Sequence, residues 1–309
     1  MKKNLLISLS AMILIACGAK KNSTEQSIPS LSIGVMSSMD YLPLAIASEQ
    51  GYFTEEGVEV KLQKFFSAND RDAAIQGKQL DGSILDYTGA VLQNAGGIEI
   101  VLTSQCEGTF ELIASKASKI SSTKDLKGKE FAVSNLTVVD FCTDMFLKNE
   151  SVTDFSKSEI QKIPLRLEML RNDKIDASVL PDPFATIAKA DGLKAISSLD
   201  DLDLHVTGIV FTRTAIREKS DAIAAFYRAY NKGVEYIVSA TKEQIAETLT
   251  KEIGFPSSEL AMQVVLPSYT EAKLPSAEDM KIVCDWLVEK GALTADFNFN
   301  AMICTDFTK

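Results

Sequence analysis

Acidic, hydroxyl and aromatic side chains follow directly after the stretches of this sequence that alternate like β-strands. They come in six short segments, at residues 37–41, 65–67, 86–88, 104–107, 134–137 and 182–184. Carboxylates can accept hydrogen bonds from N–H groups, and aromatic rings can stack on flat molecules. These residue types therefore predict a binding site for a small polar molecule.

The elements that must position these segments alternate between strand and helix. Strands are predicted at 31–35, 58–62, 80–85 and 99–103, and helices at 42–50, 69–76 and 88–94. This alternation is typical of a mostly parallel sheet covered by helices, hence of the α/β class. Ligands of such sheets bind beyond the carboxyl ends of the strands, which is where the polar segments would lie.

An internal repeat predicts a second lobe of the same design. Residues 80–85 match residues 175–180, and each copy carries an aspartate at the start of its strand, Asp81 and Asp176. We expect these two aspartates to be structural, because strand starts lie at the end of the sheet away from the ligand. The predicted division places 31–113 plus 206–309 in lobe one and 114–205 in lobe two. A helical C-terminal extension, clearest at 220–240 and 277–290, should buttress lobe one.

The first thirty residues have the pattern of an exported lipoprotein. Two lysines precede an apolar stretch at 5–15, which has the charge order of a secretory signal and is shorter than the roughly 20 residues of a membrane-spanning helix. The stretch ends in LIACG at 14–18, which resembles a bacterial lipoprotein box. We predict a signal peptide at 1–16, lipidation of Cys17 and a flexible tether at 17–30, with a plain signal peptide as the alternative. The protein would be anchored at the outer face of the cytoplasmic membrane or in the periplasm.

Composition and motifs argue against several functions. The 42 acidic residues exceed the 32 basic ones, and a net charge of −10 disfavours nucleic acid as a partner. His205 is the only histidine, and the sequence has no GxSxG or HExxH motif, so neither an enzyme nor a metal or cofactor site is predicted. Four cysteines lie in the body of the chain without CxxC spacing, and Cys284 and Cys304 are the pair that could form a disulfide.

Several motifs resemble a known family. Residues 41–45 and 49–58 resemble the opening of the periplasmic solute-binding proteins of ABC importers, and 77–81, 125–129 and Asp182-Pro183 follow in that family's order. The resemblance covers about 31–211 and is to the NMT1/THI5-like receptors for nitrate, sulfonates, taurine and thiamine-pyrimidine precursors. It implies a type II periplasmic-binding-protein fold, whose two lobes close on a small molecule and deliver it to an ABC permease. We expect a monomer without a cofactor.

The predicted ligand contacts are thirteen strand-end residues, none of them basic. They are Ser38, Asp40, Tyr41, Phe66, Asp86, Tyr87, Thr88, Glu107, Ser134, Asn135, Thr137, Asp182 and Phe184. Helix capping is the alternative role for any single one of the Ser, Asn or Asp residues among them. The set as a whole favours a nitrogen heterocycle with an amine, such as a thiamine-related aminopyrimidine.

A nitrate-, sulfonate- or taurine-type anion is the alternative ligand. It would need helix N-termini, or Arg71 or Arg213, to reach the cleft. Sulfonate and nitrate receptors commonly carry a Gly-Ser pair after the first strand of lobe two, where this sequence has Ser134-Asn135. A secreted enzyme on the same fold and a sensory ligand-binding protein are the alternatives of other classes.

Overall fold

The computed structural model describes residues 28–308. The predicted signal peptide and Cys17 lie outside the described residues, as does most of the predicted tether. Within 28–308 no helix is both long enough and apolar enough to cross a bilayer.

The first sheet has five strands in the order β2-β1-β3-β10-β4. Its strands are β1 (Ser30–Met36), β2 (Glu59–Phe65), β3 (Gly82–Asp86), β4 (Ile100–Cys106) and β10 (Thr207–Thr212). Strands β2, β1 and β3 pair in parallel, whereas β10 runs antiparallel between β3 and β4. Strand β10 therefore returns the chain to the first lobe, as the predicted division places it.

The second sheet repeats this order as β7-β6-β8-β5-β9. Its strands are β5 (Phe110–Ala114), β6 (Lys129–Val133), β7 (Phe155–Glu159), β8 (Ala177–Pro181) and β9 (Lys194–Ser198). Strand β5 takes the place of β10, since it runs antiparallel between β8 and β9. The predicted two-lobed α/β fold with a mostly parallel sheet in each lobe is confirmed.

The repeated aspartates, and the serines two residues after them, make equivalent hydrogen bonds in both lobes. Asp81 accepts a hydrogen bond of 2.9 Å from the backbone N–H of Ser32, and Asp176 accepts one of 2.9 Å from that of Glu130. Two residues later, Ser83 and Ser178 each donate at 2.8 Å to a carbonyl of the neighbouring strand. These bonds fix the central strand beside its partner, so the structural role predicted for both aspartates holds.

The chain crosses between the lobes twice, at 107–109 and at 199–206. Strand β5 begins at Phe110 and pairs only with strands of the second sheet, so residues 110–113 belong with lobe two. The predicted boundary after 113 is therefore four residues too late. In the sequence, only Glu107-Gly108-Thr109 separates two apolar strand-like stretches. The sequence alone therefore gives no sign that the second stretch belongs to a different lobe.

Twelve α-helices of the described residues cover the sheets. Those of lobe one are α1 (Leu42–Glu49), α2 (Tyr52–Glu55), α3 (Ala68–Gln76) and α4 (Tyr87–Ala95). Those of lobe two are α5 (Val138–Asn149), α6 (Ile163–Arg171) and α7 (Phe184–Ala190). After β10 come α8 (Arg213–Glu218), α9 (Ser220–Ser239), α10 (Lys242–Thr248), α11 (Ser258–Ala261) and α12 (Ala277–Glu289).

The sequence predicts that the C-terminal helices pack on lobe one, but one of them also contacts lobe two. Helix α9 packs on α1 so closely that a Cβ at Gly233 would lie 2.4 Å from the carbonyl oxygen of Pro43. Helix α12 packs against α4 of lobe one, but its Trp286 lies against Phe141 of α5 in lobe two. One C-terminal helix therefore touches both lobes. Cys284 on α12 and Cys304 are free thiols, as are the other described cysteines.

Candidate ligand-binding site

A cavity of about 50 Å³ lies between the two lobes. Lobe one contributes Met36, Ser38, Asp40, Ala68, Arg71, Ile84, Asp86 and Thr207, and lobe two contributes Phe110, Ser134, Thr137, Val138, Val139, Gln161, Ile163, Arg166 and Pro181. A benzene ring occupies a cavity of about 150 Å³, so this one is too small for a ring as it stands. A larger ligand would require the lobes to move apart or side chains to shift.

Five of the thirteen predicted residues line this cavity. They are Ser38, Asp40, Asp86, Ser134 and Thr137. All five are buried and follow β1, β3 or β6, as the strand-end rule predicts. The structure thus brings together the segments after three strands, two from lobe one and one from lobe two.

The other eight predicted residues lie outside the cavity lining, and four of their side chains have polar partners elsewhere. Tyr41 donates to Glu252 at 2.9 Å, Thr88 donates to Asp86, and Asp182 accepts at 2.8 Å from the backbone of Thr186. Phe66 is 55% exposed, Asn135 is exposed, and Phe184 packs at the edge of the lobe-two core. Tyr87 is buried beneath the cleft, and Glu107 lies in the first crossover. Their contact with a ligand stays a prediction.

Asp86 is held by a buried ion pair. Its Oδ2 lies 2.9 Å from Nη2 of Arg71, and both side chains are under 5% exposed. Its Oδ1 accepts from Thr88 and, at 2.8 Å, from the backbone N–H of Gly89 at the start of α4. Burial by itself raises the pKa of Asp86, but Arg71 and these donors outweigh it and hold the pKa below its ordinary value. Most of the acceptor capacity of Asp86 is therefore already used.

Asp40 is the more available acceptor. Ser38 donates to its Oδ1, and no Lys, Arg or His within residues 28–308 forms an ion pair with it. Burial raises the pKa of Asp40, although Ser38 and the positive charge of Arg71 oppose the shift. The carboxyl group therefore lies in the cavity wall without a cation of its own.

Two arginines line the cavity, so the expectation of a cleft without basic side chains is wrong. Arg71 comes from α3 in lobe one and Arg166 from α6 in lobe two. The sequence could have indicated that both arginines are buried, because each lies on the apolar face of its helix. Arg166 falls in the helical spacing of Ile163, Leu167 and Leu170, all of them buried.

Arg213, the other arginine considered for the cleft, lies elsewhere. It begins α8 and donates at 2.8 Å to the carbonyl oxygen of Ala301, on the surface of the molecule. The basic groups at the site are therefore the ones on the buried helix faces.

The single histidine lies in the second crossover and contacts the first. Nε2 of His205 lies 3.2 Å from Glu107 in the first crossover, and Nδ1 lies 3.5 Å from Asp279 on α12. Asp279 and Glu107 raise the pKa of His205 to about 9, so the imidazole is charged at neutral pH. Lys273 also lies 3.3 Å from Glu107. This cluster lies at the crossovers, and none of its four residues lines the cavity.

Comparison with known proteins places this geometry in a family. The NMT1/THI5-like family model matches residues 38–244. A protein of Brachyspira hyodysenteriae, named as an ABC transporter periplasmic binding protein, is 20% identical over 94% of this chain and 92% of its own length.

Solved structures share the fold at low sequence identity. The zinc-bound ligand-binding component of an ABC-type import system from Staphylococcus aureus superposes with a TM-score of 0.77 at 15% identity, covering 90% of this chain and 97% of its own. The alkanesulfonate-binding protein SsuA of Xanthomonas axonopodis pv. citri, bound to MOPS, gives 0.75 at 13% identity, covering 89% and 98%. The desulfurization enzyme DszB also has this fold, with a TM-score of 0.62 at 12% identity over 90% and 97%.

Proposed function

Because the chain belongs to the NMT1/THI5-like family, we propose that it is the solute receptor of an ABC importer, which closes its two lobes on a small organic molecule and delivers it to a permease. The cavity between the lobes carries this proposal. Its wall combines apolar side chains with a few buried polar groups, as small-molecule sites do. Both lobes contribute such groups, so a ligand that contacts both would stabilise the closed form.

The two crossovers supply the hinge for this movement. The first is three residues long, the second begins with a 3₁₀ helix at Leu199–Leu202 and continues without helix to Val206, and His205 links one to the other through Glu107. Rotation about such segments is the usual form of lobe closure around a ligand. The cavity holds only about 50 Å³ in this structure, so a larger solute requires the lobes to separate or side chains to shift.

A receptor accounts for the site better than an enzyme does. The fold also serves the desulfurization enzyme DszB, so it does not decide between the two classes. The single histidine is engaged with Glu107 and Asp279 at the hinge, away from the cavity wall. Cys106 and Cys142 are buried, which raises the pKa of both thiols, and neither lines the cavity.

Filling the cavity is expected to abolish solute capture. Ala68 lines the cavity at the start of α3 and is only half-buried, so Ala68→Trp adds bulk where the ligand would lie. Wild-type protein purified without denaturation should carry a solute identifiable by mass spectrometry, whereas the variant should carry none. Small-angle scattering should show a smaller radius of gyration when that solute is returned to stripped wild-type protein.

The matched control is Ala190→Trp, at an exposed position in the last turn of α7. This variant should retain both the solute and the compaction. Retention of the same solute by Ala68→Trp would place the site elsewhere. A wild-type protein that carries no solute, and binds none from a broad panel of metabolites, would contradict the receptor function.

We also propose that the protein is anchored through a lipid on Cys17, on the strength of the LIACG box at 14–18. The wild type should partition into the detergent phase of Triton X-114 and incorporate labelled palmitate in its bacterial host. Cys17→Ser should move the protein to the aqueous phase and remove the label. Unlabelled wild-type protein in the aqueous phase would show that the leader is a plain signal peptide.

A further inference from the structure

Arg166 is a buried cation without an anionic partner among residues 28–308. Its side chain is 1% exposed and the residue lines the cavity from lobe two. Nη1 donates to the carbonyl oxygens of Ile160 at 2.8 Å and Gln161 at 3.1 Å. Within residues 28–308 no carboxylate forms an ion pair with it, and Nε–H is buried without any acceptor.

A guanidinium in this position remains charged. Burial lowers the pKa of Arg166 to about 10, opposed only by the negative charge of Glu159, which is exposed and forms no ion pair with it. The group therefore keeps its proton at neutral pH. A buried charge without a counter-ion is unfavourable, so a site of this kind favours a ligand that supplies the opposite charge.

The unused donors of Arg166 lie along one edge of the guanidinium. Nη1 is occupied by two carbonyls, whereas Nε and Nη2 make no hydrogen bond to the described residues. These two nitrogens form the planar two-donor edge that receives both oxygens of a carboxylate.

Lobe one presents the complementary group. Asp40 lines the same cavity, is 4% exposed, and has the hydroxyls of Ser38 and Thr207 as side-chain donors. Arg71, the cation on that side, is already paired with Asp86 and Asp72. Among residues 28–308 the cavity thus offers a cation without an ion pair from one lobe and a carboxylate without an ion pair from the other.

We propose that the ligand is a small carboxylic acid with a hydrogen-bond donor at its far end, such as an amino acid or a hydroxy acid. Its carboxylate pairs with the Nε/Nη2 edge of Arg166, and its donor group bonds to Asp40. The proposal rests on the receptor function above and names the class of solute. Such a ligand would bridge the lobes, since each end binds a different one.

The first test compares matched probes on the wild-type protein by calorimetry. The panel contains amino and hydroxy acids of two to six carbons, the amide of each acid, the sulfonate analogues (taurine for β-alanine), nitrate, and 4-amino-2-methylpyrimidine. An acid should bind about ten- to a hundredfold more tightly than its own amide, because a charge-assisted hydrogen bond is lost in the amide. Equal affinity for acid and amide, or tighter binding of taurine, nitrate or the pyrimidine, would overturn the proposal.

The second test asks whether Arg166 is the source of the discrimination. In Arg166→Gln the ratio of acid to amide affinity should fall towards one. In the control Arg171→Gln, on the same helix but exposed and paired with Glu168 and Asp191, the ratio should be unchanged. If Arg166 only secures the segment before α6, Arg166→Gln will lower the melting temperature and leave the ratio intact.

Failure of this inference is distinct from failure of the receptor function. A co-purified solute without a carboxylate would overturn the carboxylic-acid assignment alone. A wild-type protein that carries no solute, and binds no probe of any class, would overturn both. Binding of an acid whose affinity survives Asp40→Asn unchanged would remove Asp40 from the proposal.

Discussion

Arg71→Met is expected to lower the free energy of unfolding by about 3–5 kcal/mol at neutral pH. The substitution leaves Asp86, which is 3% exposed, as a buried carboxylate without its cation. Asp72 also loses the donor that lies 3.0 Å from its Oδ1. Removing one partner of a buried pair is costly, since the remaining charge stays away from water. Urea denaturation followed by circular dichroism measures the change.

Two variants test the cause of this loss. Arg217→Met removes an exposed arginine whose pair with Glu218 is open to solvent, and should change stability by less than about 0.5 kcal/mol. The double variant Arg71→Met, Asp86→Asn also removes the charge of Asp86 and should recover part of the loss, because Asp72 is then the one carboxylate of the pair that still lacks its arginine. A loss below about 1 kcal/mol in the single variant would contradict the buried-pair account.

The effect of Arg71→Met should also depend on pH. Arg71, together with the donors Thr88 and Gly89, holds the pKa of Asp86 below its usual value despite burial. Such a carboxylate contributes stability that is present above its unfolded pKa of about 3.9 and is lost as the pH falls through the folded pKa. The free energies of unfolding of wild type and variant should therefore approach each other as the pH falls below about 4.

Trp286→Ala is expected to cost about 3–5 kcal/mol, the range for truncating a buried tryptophan. Trp286 is 3% exposed, packs edge-to-face on Phe141 with ring centroids 5.4 Å apart, and donates from Nε1 to Asp144 at 2.9 Å. The substitution removes contacts that attach α12 to lobe two. Trp286 is the only tryptophan, so unfolding of the variant must be followed by circular dichroism.

Trp286→Phe separates packing from hydrogen bonding. Phenylalanine keeps a ring against Phe141 but has no N–H, and Asp144 retains Lys157 and Lys290 as partners. The expected loss is about 1 kcal/mol. Equal losses of unfolding free energy in Trp286→Ala and Trp286→Phe would show that Trp286 stabilises the protein through its hydrogen bond rather than through the packing of its ring.

Much of the fold was predictable because its signals are local. Alternation and helical spacing predicted four strands and three helices of lobe one within a few residues. The repeat at 80–85 and 175–180 identified two equivalent strands, since in each an aspartate and a serine bond to the neighbouring strand. Strand ends also located part of the site, because ligands of such sheets bind at one edge.

The limits of prediction appear where a residue's role depends on its partner. Asp86 lines the cavity but is paired with Arg71, which lies fifteen residues earlier on α3. Phe110–Ala114 reads as a strand of either lobe, and only its pairing with β8 and β9 assigns it to the second. Such pairings bring together residues that are distant in sequence.

The sequence by itself determined the two α/β lobes, the repeat that relates them and the strand ends that supply Ser38, Asp40, Asp86, Ser134 and Thr137. The tertiary structure decided the charge of the site. Arg71 and Arg166 occupy apolar helix faces, and a helical pattern shows that a face is buried without showing what it is buried against. Docking of α3 and α6 at the gap between the lobes made one arginine the partner of Asp86 and left the other without a counter-ion.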